Sequence, residues 1–180
     1  MKAASVKHSD PEMAAKLTED ALGRLQNMDQ FLSADAAMAV AAQLQTLGHE
    51  EAGAGVLKSC AEIYGDDPLV MQNIAKQTDD PAILGANKAA IDLNVQGVRT
   101  YKAGNLDEAQ DLFRRALALQ AKNISIALNL AQALLHSMAS APNAAKLEEC
   151  RACLKMVGKM PESDPRFERY QKLQSKAFGA

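Results

Sequence analysis

Tryptophan is absent from this 180-residue chain, and all aromatic residues together make up 4% of it. A core without large rings must be filled by smaller side chains, and here alanine and leucine carry the apolar load. Both are strong helix formers, so packed helices are favoured over a sheet. Cysteine is also scarce: three, an odd number, exclude a disulfide framework and point to a reducing cytoplasm. The formal net charge of −2 lacks the basic footprint of a nucleic-acid binder. No run of about eighteen apolar residues occurs, which excludes a membrane-spanning helix. The opening "MKAASVKHSDPEM" has no apolar secretory segment, and residues 1–10 read as a linker or appended end.

What is present is helix punctuation. Asp-Pro occurs at Asp10-Pro11, Asp67-Pro68, Asp80-Pro81 and Asp164-Pro165. Aspartate accepts from the orphan amides of a first turn, and proline at the first helical position lacks a donor that would go unpaired anyway. Each pair predicts a helix start. Gly48, Gly65 and Gly104 supply stops, where a left-handed residue closes a helix. Between these marks the apolar period is helical. Met13, Leu17, Ala21, Leu25, Met28 and Leu32 form one stripe, and Val40, Leu44 and Leu47 continue it after Ser33. No alternating run long enough for a strand survives. The expected class is all-α.

Residues 90–123 read "AIDLNVQGVRTYKAGNLDEAQDLFRRALALQAKN". Two helices joined by a short turn approach closely only where facing residues are small. Gly97 meets that need on the first helix, and Ala109 and Ala116 share one face of the second, with Phe113 between them to plug the gap. This segment resembles a tetratricopeptide repeat, a helix-turn-helix unit of about 34 residues. Gly97, Tyr101, Gly104, Ala109, Phe113, Ala116 and Leu117 stand at or next to the signature positions. Leu93-Asn94 replaces the usual Trp and Ala121 the usual closing Pro. Degenerate copies are expected at residues 34–67, around the Gly48 corner, and at 124–160, where Ala131 takes the place of Gly97. A repeat cannot bury its face alone, so the units are expected to stack. The resemblance thus implies one repeat domain over 11–180, an antiparallel helix-hairpin stack. The N-terminal stripe and a helix over 164–178 would cap it.

A narrower resemblance covers the C-terminal half. The order "IDLNVQGVRTYKAGNLDEAQDLFRRAL", "NISIALNLAQALL" and a helix ending in "DPRFERYQKL" is similar to the helical output region of bacterial response regulators that carry tetratricopeptide repeats. No βα alternation or acidic phosphoacceptor site stands here for a receiver domain, so that resemblance implies an excised C-terminal portion.

Candidate chemistry is sparse. Cys150 and Cys153 form a CxxC, but a zinc site needs about four ligands and a redox pair needs a helix start in a βαβ setting. Falling inside a predicted helix, the pair reads as packing, as does Cys60. His8, His49 and His136 are scattered. Asp66-Asp67 and Asp79-Asp80 precede prolines and read as caps; Arg114-Arg115 and "KLEECR" read as solvated faces. No glycine-rich phosphate loop or hydrolase motif appears, so neither an enzyme nor a cofactor or metal site is expected.

What remains is a surface. In stacked hairpins the first helices line a concave groove. The candidate partner-binding residues are Asn94, Val98, Tyr101 and Lys102, then Leu128, Gln132, Leu135 and His136, with Met38, Ala42 and Gln45 extending the wall. Some members of the repeat family hold acidic C-terminal peptides in a Lys-and-Asn clamp, but Val98 stands where the clamp needs Asn. The leading expectation is a cytoplasmic protein-protein interaction module, the output or adaptor region of a bacterial two-component signalling protein, binding a peptide or helix. The alternative is a stand-alone tetratricopeptide chaperone of secreted proteins. A small enzyme or phosphotransfer domain ranks third. The partner is another protein of unknown identity, with self-association left open and neither nucleic acid nor membrane expected.

Overall fold

A computed structural model describes residues 33–158, 160 and 162–179. The stripe from Met13 to Leu32 and the Asp10-Pro11 helix start lie outside the described residues. Within them the chain is all-helical, without strands. The helices are α1 (Ala34–Thr46), α2 (Glu50–Tyr64), α3 (Pro68–Ile74), α4 (Pro81–Lys102), α5 (Leu106–Leu119), α6 (Ile124–Met138), α7 (Ala144–Val157) and α8 (Phe167–Phe178). The chain divides into two compact units, Met1–Ile83 and Leu84–Ala180.

Capping explains most of the boundaries. Asp67 Oδ1 accepts from the Leu69 and Val70 amides at 2.9 and 3.4 Å, with Pro68 opening α3. Asp80 Oδ1 accepts from Ala82 N at 2.8 Å as Pro81 opens α4. Ser33, Asn123 and Asn143 each take the amide three residues on, at 3.3, 3.1 and 3.1 Å. Two expectations are corrected. Gly65 ends α2 in right-handed geometry (φ −65°), because the Asp67 amide turns back to the Tyr64 carbonyl at 2.9 Å and no left-handed residue is needed. After Asp164-Pro165 the helix starts only at Phe167; Asp164 accepts the Arg166 amide in the usual capping way, and its carboxylate also holds the Arg166 guanidinium.

In the first unit, α1 folds back on α2 through Gly48 (φ 85°), and α3 packs against both. The crossing is tight at Gly53, where an added Cβ would stand 2.8 Å from Gln45 Cγ and 3.1 Å from the Ala41 carbonyl. Ala41, Leu44, Leu57, Cys60 and Ile74 are buried around it.

In the second unit, α4 and α5 turn through Gly104 (φ 89°), and the crossing is tight at Gly97. A Cβ there would stand 2.6 Å from Phe113 Cε1 and 2.8 Å from Cδ1. Ala90, Ala116 and Ile126 form a buried cluster with Leu93 and Leu117 against it, so Leu93 packs where the repeat pattern places Trp. Next, α5 packs on α6, α6 on α7, and α8 on both α6 and α7.

The hairpins share one register. In the second helix, Gly53, Leu57 and Cys60 repeat as Ala109, Phe113 and Ala116, then as Cys150, Leu154 and Val157, in steps of four and three; all nine are buried. Opposite them on the first helix stand Ala41, Gly97 and Ala131, each buried. The two glycine corners also match in their bonds: His49 N donates to the Leu44 carbonyl and Asn105 N to the Thr100 carbonyl, at 2.9 and 3.2 Å.

Candidate functional site

The site lies in the second unit. Amides on α6 tie α4 to α8. Asn129 Nδ2 donates to Asn94 Oδ1 on α4 at 2.8 Å, and Asn129 Oδ1 accepts from Arg169 Nη2 on α8 at 2.8 Å. One turn along, Gln132 Nε2 donates to the Tyr101 hydroxyl at 3.2 Å, and Gln132 Oε1 accepts from Arg169 Nε at 3.0 Å. Asn129 and Gln132 are three residues apart and so share one face of α6. Each amide therefore gives its donor to α4 and its acceptor to α8.

Beside this row opens a cleft of about 1220 Å³. It is lined by Tyr101, Gln132, Leu135, His136 and Met138, by Pro142, Asn143, Ala144 and Leu147, and by Pro165, Glu168, Arg169, Lys172, Leu173 and Lys176 of the C-terminal segment. Tyr101 meets His136 edge-on, with ring centroids 5.6 Å apart and planes at 64°. Because the Tyr101 hydroxyl accepts from Gln132, its own proton remains available to donate. The α8 wall carries Glu168, Arg169, Lys172 and Lys176. Lys172 Nζ bonds Glu168 Oε1 at 2.6 Å, which holds the Glu168 carboxyl below its ordinary value. Burial lowers the pKa of the Arg169 guanidinium, and no carboxylate among the described residues pairs with it.

The sequence-expected residues separate into two groups. Asn94, Tyr101 and Gln132 are joined through the amide row, and Tyr101, Gln132, Leu135 and His136 line the cleft. Val98 is half-buried outside the cleft lining, and Lys102 is exposed at the end of α4, also outside it. Leu128 needs correction: it is fully buried, on a face of α6 that the neighbouring helices cover. Met38 is likewise buried, a core residue and no wall residue, while Ala42 is exposed and the Gln45 side chain lies against Gly53.

Asn129, Arg169, Lys172 and Lys176 were missed. A signal existed, since 169, 172 and 176 follow the three-and-four step of one helix face. The spacing alone does not say that this face meets α6, which is a matter of tertiary packing.

The cysteines have a packing role. Cys150 Sγ donates to the Ala131 carbonyl at 3.7 Å, in the crossing that corresponds to the one where Gly97 meets Phe113 a hairpin earlier. Burial pushes the thiol of Cys60 up to about 11, that of Cys150 to about 11 and that of Cys153 to about 12. Thiols so raised are poor nucleophiles near neutral pH. Among the described residues no three His, Cys, Asp or Glu side chains are grouped to hold a metal ion. No helix among them is long and apolar enough to cross a membrane. Compared with known proteins, the chain matches no family model, no curated protein and no solved structure.

Proposed function

We propose that this chain is a tetratricopeptide-like protein-interaction module that takes a partner peptide or helix in the cleft beside α4, α6 and α8. Three hairpins with one small-large-small register support the repeat reading, as does the side-by-side row of α4, α6 and α8 held by Asn129 and Gln132. Role and setting follow from the resemblance of the C-terminal half: an output or adaptor region of a bacterial two-component signalling protein, acting in the cytoplasm.

One observation carries the binding reading. Tyr101, Gln132 and His136, from two successive hairpins, converge on one open cleft with both apolar and polar walls, the composition of a recognition site. The test is site-specific photo-crosslinking. A photoreactive residue in place of His136 is expected to capture a discrete partner from the source cell, and one in place of exposed Arg115 on α5 is expected to capture none. Capture at position 115 and none at 136 would move the interaction to the opposite face.

A further inference from the structure

The charges on the α8 wall do not balance. Arg169, Lys172 and Lys176 face the cleft with Glu168 as the single carboxylate among its described lining, although the whole chain carries −2. Glu168 is already engaged by Lys172. Arg169 is withdrawn from water, and its bonds run to the neutral oxygens of Asn129 and Gln132. A guanidinium has five N–H donors, and these two bonds employ two of them. A partly desolvated cation held only by neutral acceptors, next to an open cleft, is poised for a carboxylate, which matches a guanidinium fork in bidentate geometry. Lys176 lies on the same helix face, two turns further, as a second point of positive charge. Leu135, Met138 and Leu147 line the cleft as well and offer an apolar floor. The cleft, at about 1220 Å³, exceeds the ~300–1,000 Å³ typical of small-ligand pockets.

We infer that the cleft recognises an acidic peptide segment of a partner protein, with one carboxylate on Arg169, a second near Lys172 and Lys176, and an apolar side chain between them. This deepens the interaction reading above and rests on it. It differs from a clamp built on the first helix of a repeat, since the cations come from α8 and leave Val98 without a part.

The experiment is a fluorescence-anisotropy titration of the full chain with two labelled peptides. One alternates Glu and Leu; the other has Gln in place of each Glu. The acidic peptide is expected to bind saturably and at least about tenfold more tightly than the Gln peptide, a difference of about 1.4 kcal/mol. Its affinity is expected to fall as salt rises. The double variant Lys172→Gln, Lys176→Glu, whose changed residues are both exposed, should weaken it by a similar factor with an unchanged melting temperature. Arg115→Glu should leave it as it was. Arg169→Gln tests the anchor, with circular dichroism to confirm the fold.

Equal binding of the two peptides, or no saturation by the acidic peptide at about millimolar concentration, overturns the inference. So does a chain dimer that the Lys172→Gln, Lys176→Glu variant dissociates, which would make a second copy the occupant. If crosslinks at position 136 persist while the charge variants change nothing, acidic chemistry fails and the cleft reading stands. If crosslinking at 136 also fails, the interaction reading goes with it.

Discussion

At the residue scale, the crossing of α4 and α5 turns on one missing atom. Gly97 leaves room for the Phe113 ring, which is buried and has nowhere to retreat. Helix propensity alone says that Gly97→Ala should stabilise α4, by up to about 1 kcal/mol. The 2.6 Å approach of the added Cβ to the ring opposes this, and overpacking of this kind costs about 1–3 kcal/mol. The expected outcome is a net loss of up to about 2 kcal/mol, read as a lower melting temperature. Phe113→Leu in the same chain should return part of it. A double-mutant cycle that shows no coupling between the two positions would overturn the contact argument. This crossing was legible in the sequence, because Gly97, Ala109, Phe113 and Ala116 repeat at helical spacing and their burial is local. Its equivalent at Gly53 was less legible, because there the glycine stands on the second helix and the alanine, Ala41, on the first.

At the element scale, the junction before α8 is held by Asp164 and Arg166. Asp164 Oδ1 accepts from Arg166 N and Nε at 2.8 and 2.9 Å, Oδ2 accepts from Nη2 at 2.8 Å, and Arg166 Nη1 reaches Ser125 Oγ at 3.1 Å near the start of α6. The Arg166 hydrogen bond holds the Asp164 carboxyl below the usual carboxylate range. A carboxyl with a depressed folded pKa stabilises above its unfolded value, about 3.9, and loses that contribution as pH falls through the folded one. Asp164→Asn is therefore expected to cost about 1.5–3 kcal/mol at pH 7, in line with hydrogen bonds to charged groups. Wild type and variant should converge as melts are taken below about pH 4. A gap that persists unchanged at low pH would show that the side chain acts by shape alone. Asp-Pro opens α3 and α4 at Pro68 and Pro81, yet here α8 waits two residues. Local capping rules name the Arg166 amide as a partner for Asp164; they do not see that the Arg166 guanidinium bonds the same carboxylate. The cleft was half-legible for the same reason. Tyr101 and His136 follow from the spacing of the expected repeat, but Arg169 enters from a helix far along the chain, and its meeting with Asn129 and Gln132 is a fact of tertiary packing. Leu128 shows the converse error: the same period places it in the wall, and packing by the neighbouring helices encloses it.

At the scale of the whole molecule, the three thiols are built-in clocks. Cys60 lies on α2 in the first unit, and Cys150 and Cys153 lie on α7 in the second. All three are buried, so a thiol-reactive probe reaches them only through an opening of the surrounding helices. Native protein is expected to label far more slowly than denatured protein at every site, with peptide mass spectrometry timing each cysteine separately. Labelling of Cys150 at the rate of a free thiol would contradict its place against Ala131. Gly97→Ala should shorten the waiting time of Cys150 and Cys153, since it loosens the unit they occupy. Cys60 then acts as the second hand. If its rate changes by the same factor, the two units open in a single event; if it keeps its own time, each unit runs on its own. Because Cys60, Cys150 and Cys153 are buried on the second helices of their hairpins, the chain carries its own record of how often those helices come apart.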